Sequence, residues 1–258
     1  MFKKFLLLFL LICLTLCGCS KKQSEIDDLQ QIMNRGNLIV GVKNDSAPFG
    51  FIDNNGQLSG FDIDLAKQIS KVIFGDENKV KFVPVTTSNR IMKLNSGEVD
   101  ILIATMSITD QRQMVVRFSQ PYHIAGQAIM VKKSSNATAL RDFKGKKLII
   151  VFGSTSERNV RTNIPNVEII GFKTYPEAFN ALKAGKADGI IADDSILMAY
   201  AYNDNSVKIL PKRYSEEPYA IALRQEPENS KLLIKINYIL DTMQQNGDLR
   251  KLKEKWEL

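Results

Sequence analysis

Apolar residues recur along this chain with two periods. Between Phe61 and Phe74 they fall at 61, 65, 69, 72 and 73, one face of a helix, and Gly75 closes it. Ile26, Leu29 and Met33 mark a shorter helix ended by Gly36, and 90–96 a third closed by Gly97. Between them lie β-rich apolar runs at 38–42, 80–85 and 99–104. Phe49–Ile52, the turn Asp53-Asn54-Asn55-Gly56 and Leu58 predict a hairpin. The second half repeats the alternation. Strands are expected at 148–152, 167–172, 189–192, 208–210 and 219–223, and helices near 156–163, 176–184 and 232–243, with a last one carrying Trp256. Strands alternating with helices predict an α/β class with mostly parallel pairing.

Leu94-Asn-Ser-Gly97-Glu-Val-Asp100-Ile-Leu-Ile-Ala104-Thr105 matches Leu182-Lys-Ala-Gly185-Lys-Ala-Asp188-Gly-Ile-Ile-Ala192-Asp193. Two copies are too few for a solenoid, which needs about three or more units. Two α/β lobes built alike fit the repeat. In each copy a helix stops at Gly, and the following strand ends on a polar residue, Thr105 or Asp193. Ligands of open α/β sheets bind beyond the carboxyl ends of the strands, so facing lobes would turn both residues into one cleft.

Composition narrows this picture. With 44% hydrophobic and 24% charged residues over 258 positions, the chain is neither disordered nor collagen-like. A single histidine excludes a multi-histidine metal site. The three cysteines, Cys13, Cys17 and Cys19, all sit at the N-terminus, behind Lys3-Lys4 and an apolar run from Phe5 to Cys17. That run is shorter than the about 20 residues a bilayer core requires, and reads as a secretory signal. Leu16-Cys17-Gly18-Cys19 resembles the bacterial lipobox, which implies cleavage after residue 18 and a lipid on Cys19. Ser20–Ser24 then reads as a tether. Loss of Lys3 and Lys4 lowers the formal charge of +7 by two. No cysteine remains for a disulfide, so the core alone must hold the exported domain.

Several side chains are candidates for chemistry. Thr109 is placed to cap a helix with Arg112 one turn in, where a guanidinium grips a carboxylate or lies on the surface; spacing leaves both open. Asp193 and Asp194 point to opposite faces of a strand end. Asp193 suits an ammonium group and Asp194 a helix cap. Gly153-Ser154-Thr155-Ser156 is too short for a phosphate loop; it donates to a carboxylate or caps a helix. His123 lacks the context of a catalytic base and reads as structural.

Gly60-Phe61-Asp62-Ile63-Asp64-Leu65 resembles the signature of the family 3 solute-binding proteins, receptors of polar amino-acid ABC transporters. Ile103 to Arg112, followed by Phe118-Ser119-Gln120-Pro121-Tyr122, is similar to the family's central motif. Asn246-Gly247 with Lys255-Trp256 is similar to its end. The resemblance implies a type II periplasmic-binding fold: two lobes joined by crossing strands near 127–132 and 219–223. Lobe one is then 36–126 with 221–258, lobe two 127–220, and 19–35 the tether and lead-in helix. It also implies that Arg112 grips the ligand α-carboxylate and that Thr105 and Ser107 add contacts. Asp193 takes the α-ammonium, and Ser154 and Thr155 reach in from lobe two. Lys43, Arg90 and Tyr219 match positions that meet the ligand in some members. Two cations beyond Arg112 suit a second carboxylate, so glutamate or aspartate is the first expectation and glutamine the next.

On this reading the protein is not an enzyme, though dehydratases and lytic enzymes share the fold, and an adhesin or sensor is a further alternative. It would work as a monomer on the outer side of the cytoplasmic membrane or in the periplasm, closing its lobes by hinge motion. Its partners would be an ABC permease with its ATPase, and no cofactor, metal or nucleic acid is expected.

Overall fold

The computed structural model describes residues 27–164, 166–225 and 230–258. The signal segment, Cys19 and the tether lie outside the described residues.

Helix α1 (Asp28–Arg35) leads into a five-stranded sheet. Its strands are β1 (Leu38–Val42), β5 (Val80–Pro84), β6 (Ile101–Ile103), β7 (Val116–Ala125) and β13 (Glu217–Arg224), in the order β5-β1-β6-β13-β7. β1, β5 and β6 are parallel, while β13 runs antiparallel to β6 and β7. A small sheet of β2 (Asp45–Ser46), β3 (Gly50–Ile52) and β4 (Leu58–Ser59) contains the expected hairpin. Helices α2 (Phe61–Phe74), α3 (Arg90–Asn95) and α4 (Asp110–Gln113) fill the connections.

The second sheet has the order β10-β9-β11-β8-β12. It consists of β8 (Gln127–Lys132), β9 (Lys147–Val151), β10 (Glu168–Phe172), β11 (Gly189–Asp193) and β12 (Val207–Ile209). Helices α5 (Ser156–Asn163), α6 (Tyr175–Lys183) and α7 (Asp194–Asn203) belong to it. Helices α8 (Lys231–Gln245) and α9 (Asp248–Lys255) return to the first lobe, where α8 packs on β7 and α1.

Alternation along the strands shows why the apolar runs are continuous. Ile101 and Ile103 join one buried cluster with Val40, Leu65 and Ile69; Leu102, between them, joins another with Leu94 and Val99. In the second sheet Ile149 and Val151 share a cluster with Ala178 and Leu182, and Leu148 and Ile150 share one with Phe143 and Val160. Both faces of each sheet are covered, so neither face needs polar residues.

The repeat has a structural basis. Asp100 Oδ2 accepts the Ile39 N–H at 2.7 Å, and Asp188 Oδ2 accepts the Lys147 N–H at 2.9 Å. Each aspartate thus fastens the start of the central strand of its own sheet, β6 or β11, to the start of the neighbouring parallel strand, β1 or β9. Gly97 and Gly185 adopt φ of 80° and 75°, the left-handed conformation that lets the chain leave a helix and turn directly into that aspartate.

The chain passes between the sheets twice: at Gly126, between β7 and β8, and over residues 210–216. Glu217 pairs with Ala125 and Tyr219 with His123 in the first sheet. This ladder moves the second passage upstream of the expected 219–223 and places all of β13 in the first lobe.

Candidate functional site

The site is built from strand ends. β1 runs into Lys43, β6 into Thr105–Ser107, β9 into Gly153–Thr155, and β11 ends on Asp193. The lobes touch here. Arg112 Nη1 donates to the Ser107 carbonyl at 2.8 Å and its Nη2 to the Gly153 carbonyl, across the cleft, at 2.9 Å. Thr109 caps α4 by accepting the Arg112 N–H at 3.2 Å, as its sequence position suggested. Two of the five guanidinium donors are engaged in these side-chain contacts, and the remainder are compatible with a carboxylate.

Asp193 is buried and accepts a hydrogen bond from the Tyr219 hydroxyl. Burial and the neighbouring Glu217 carboxylate push its pKa up to about 7, against the pull of Tyr219, Arg112 and Arg90. Asp194 has a different job. Its carboxylate accepts the Ser195 N–H at 2.8 Å and the Gly126 N–H at 3.1 Å, and pairs with Arg213 at 2.7 Å. It therefore ties the start of α7 to the first passage between the lobes.

The two cations expected to face a second carboxylate both make bonds within the protein, although the buried Nε of Arg90 has no partner among the described residues. Lys43 is fully buried; its Nζ pairs with Asp45 at 2.9 Å and donates to Thr87 Oγ1 at 3.0 Å. The Tyr175 ring centroid lies 5.9 Å from the same ammonium. Burial lowers the lysine pKa and Asp45 partly restores it. Arg90, also buried, donates through Nη1 to the Ala104 and Thr105 carbonyls. Burial and the Arg112 charge bring it down to about 9. Arg90 thus grips the backbone of the 104–107 loop itself. The loop is unusual there: Thr105 has φ 49°, a strained region for a β-branched residue.

Asp62 braces the same loop. It is fully buried, accepts from the Tyr122 hydroxyl at 3.1 Å, and lies against the Thr105 backbone N–H. Desolvation raises it to about 7.

The remaining expected residues take varied places. Ser107 is buried and bridges to Tyr219 through the backbone. Ser154 turns its hydroxyl back to the Val151 carbonyl at 2.7 Å, closing its own loop. Thr155 Oγ1 donates to Glu217 Oε2 at 2.9 Å and accepts from Gln127 Nε2 at 2.7 Å. These bonds direct both hydroxyls into the protein, so any contact these residues make with a ligand comes from backbone N–H groups. His123 is structural: its ring packs against Phe49 and Tyr219, and Nε2 lies 3.2 Å from Ser195 Oγ.

Asp45, Glu217, Gln127, Asn159 and Tyr175 were not singled out by sequence reasoning. Asp45 had a usable signal: Lys43 and Asp45 are two residues apart in extended chain, hence on one side. Glu217 sits at the start of an apolar strand, where an acid is out of place. Among the described residues no group of three or more His, Cys, Asp or Glu is arranged to hold a metal ion.

Two α/β lobes joined by two passages, with charged groups converging where the strands end, define a cleft-type binding protein. Residues 38–258 match the model of the bacterial extracellular solute-binding proteins, family 3. A glutamine-binding protein of an ABC transporter from Bacillus subtilis is 38% identical over 257 residues, covering 96% of this chain and 93% of the relative. A glutamine-binding protein from Geobacillus stearothermophilus is 40% identical over 86% of this chain and 92% of its own. Among solved structures, an ancestral arginine-binding protein bound to glutamine is 45% identical, with a TM-score of 0.81 over 86% of this chain and 98% of that one. The chain belongs to the bacterial extracellular solute-binding proteins of family 3.

Proposed function

We propose that this protein captures glutamine outside the cell for an ABC importer, closing its two lobes on the ligand and delivering it to a permease and its ATPase. The relatives named glutamine-binding support this reading. Lipidation of Cys19 would anchor it to the membrane.

The observation that carries the choice of ligand is the charge balance of the buried cleft. Lys43, Arg90 and Arg112 face Asp45, Asp193 and Glu217, three cations against three carboxylates, all buried or nearly so. Asp62, beside Arg90, adds no cation, and burial raises it to about 7. A zwitterion with an uncharged side chain leaves that balance intact. Glutamate or aspartate would bury one further negative charge without a partner, a cost of several kcal/mol. The first expectation, an acidic ligand, counted Lys43 as available; its pairing with Asp45 favours the second expectation, glutamine.

In this reading Arg112 takes the α-carboxylate and Asp193 the α-ammonium, with backbone from the 105–107 and 153–155 loops. Lys43 donates to the side-chain carbonyl and Asp45 accepts from the amide N–H. A thermal-shift screen against the twenty amino acids tests it, since a ligand that binds only the native state raises its stability. Glutamine should give the largest shift; a larger shift with glutamate, or none with glutamine, refutes the assignment. Asp45→Asn should move the glutamate-to-glutamine affinity ratio at least tenfold toward glutamate, because Lys43 would then lack its counter-charge. An unchanged ratio measured by calorimetry would remove the Lys43–Asp45 pair from side-chain recognition.

A further inference from the structure

We propose that Glu217 is a positioning residue for ligand binding: from the second passage between the lobes it fastens α5, and with it the Gly153–Thr155 loop, to the hinge, and it supplies a carboxylate beside the ammonium site. This rests on the reading of Asp193 as that site.

Glu217 opens β13 and is 3% exposed. Its carboxylate accepts three hydrogen bonds. Oε1 accepts from Ser215 Oγ at 2.7 Å and Asn159 Nδ2 at 3.3 Å, and Oε2 accepts from Thr155 Oγ1 at 2.9 Å. Gln127, the first residue after the other passage, closes the ring. Its Nε2 donates to Thr155 Oγ1 at 2.7 Å and its Oε1 accepts from Asn159 at 2.9 Å. One carboxylate and one carboxamide thereby join both passages to the first turns of α5. The loop preceding that helix carries the carbonyl that receives Arg112, so the ring fixes where lobe two meets the guanidinium.

Glu217 is also an electrostatic neighbour of both binding charges. It favours the cation of Arg112 and disfavours the anion of Asp193. The groups facing Asp193 are Glu217 and Tyr219 from β13, Arg112 from α4, Arg90 from α3 and Tyr175 from α6. Of these, Glu217 alone opposes ionisation of Asp193 as a charge.

The experiment is glutamine calorimetry between pH 5 and 8 on the wild type, E217Q, E217A and D193N. In the wild type affinity should fall as pH drops below about 7, where Asp193 gains its proton. E217Q keeps the shape and removes the charge, so its acid-side midpoint should move down by at least half a pH unit. E217A breaks the ring and should lose at least tenfold at pH 8, with E217Q restoring most of that loss. A merely structural residue would not move the midpoint. Superimposable profiles for E217Q and wild type, or E217A within twofold of wild type at pH 8, overturn the proposal. If D193N stays within twofold of wild type, the ammonium-site reading has failed and this inference falls with it. If D193N loses binding while E217Q is unchanged, only the role of Glu217 is refuted.

Discussion

Gly153→Ala separates folding of the lobes from their closure. Gly153 has φ +82°, and a Cβ built there would lie 2.6 Å from the Thr87 carbonyl oxygen and 2.8 Å from Ser88 Cα. Both are backbone atoms of the opposite lobe, so no side chain can swing aside. The substitution carries two costs. Left-handed strain of about 1–2 kcal/mol is local to the loop and is present whether the lobes are open or closed. The overlap is between atoms of the two lobes, so opening the cleft would relieve it. Relieving it to an ordinary contact of 3.4 Å needs a displacement of roughly 0.8 Å. Moved that far, the 2.9 Å bond from Arg112 to the Gly153 carbonyl passes beyond hydrogen-bond range. A hydrogen bond from a charged donor contributes about 1.5–3 kcal/mol, so glutamine affinity should fall roughly 10- to 150-fold. The ligand-free protein should lose only the strain, read as a modest fall in melting temperature. Calorimetry gives the affinity, and small-angle scattering shows whether the liganded variant stays more open than the wild type. Affinity within twofold of wild type would refute the claim that closure brings Gly153 onto Thr87.

Two further outcomes follow from the charges at the cleft. Arg112→Ala should lose about 2–5 kcal/mol of glutamine binding, the scale for removing one member of a buried charge pair, and calorimetry showing unchanged affinity would sink its role as the carboxylate grip. Asp62 holds a proton in the folded protein up to about pH 7 that the unfolded chain gives up near 3.8. Its contribution to stability is therefore complete at the acid end and lost as pH rises through about 7, by at most about 4 kcal/mol. Asp62→Asn should flatten that decline, as urea unfolding of the ligand-free protein at pH 5 and pH 8 would show; an identical difference between the two pH values in variant and wild type would contradict the burial argument.

Much of the fold could be read from the chain because the determinants are local or periodic. Helix α2, its closing Gly75 and the hairpin before it follow from spacing and turn chemistry. The 88-residue offset between Asp100 and Asp188 reflects one device used twice, an acid that fastens the start of the central strand to its parallel neighbour. The strand ends carrying Thr105 and Asp193 were legible for the same reason: where a helix stops and a strand runs out is written in neighbouring residues. The placement of the second passage was not, because Glu217–Arg224 joins the first sheet through partners about a hundred residues away.

The balance of charge was the least legible feature. A lysine and two arginines near a cleft look like three available cations in sequence, and the acidic-ligand expectation rested on that count. What a buried charge does depends on the partner that offsets its desolvation. For Lys43 that partner is Asp45, two residues on, and for Arg90 it is the carbonyls of Ala104 and Thr105, fourteen and fifteen residues on. These bonds follow from burial and from the path of the backbone, not from residue type. Arg90 then becomes a support for the 104–107 loop, together with Asp62 and Tyr122. A cleft that already balances its own charges selects a ligand by dipoles and hydrogen bonds, and in this chain that argues for a carboxamide over a carboxylate at the distal end.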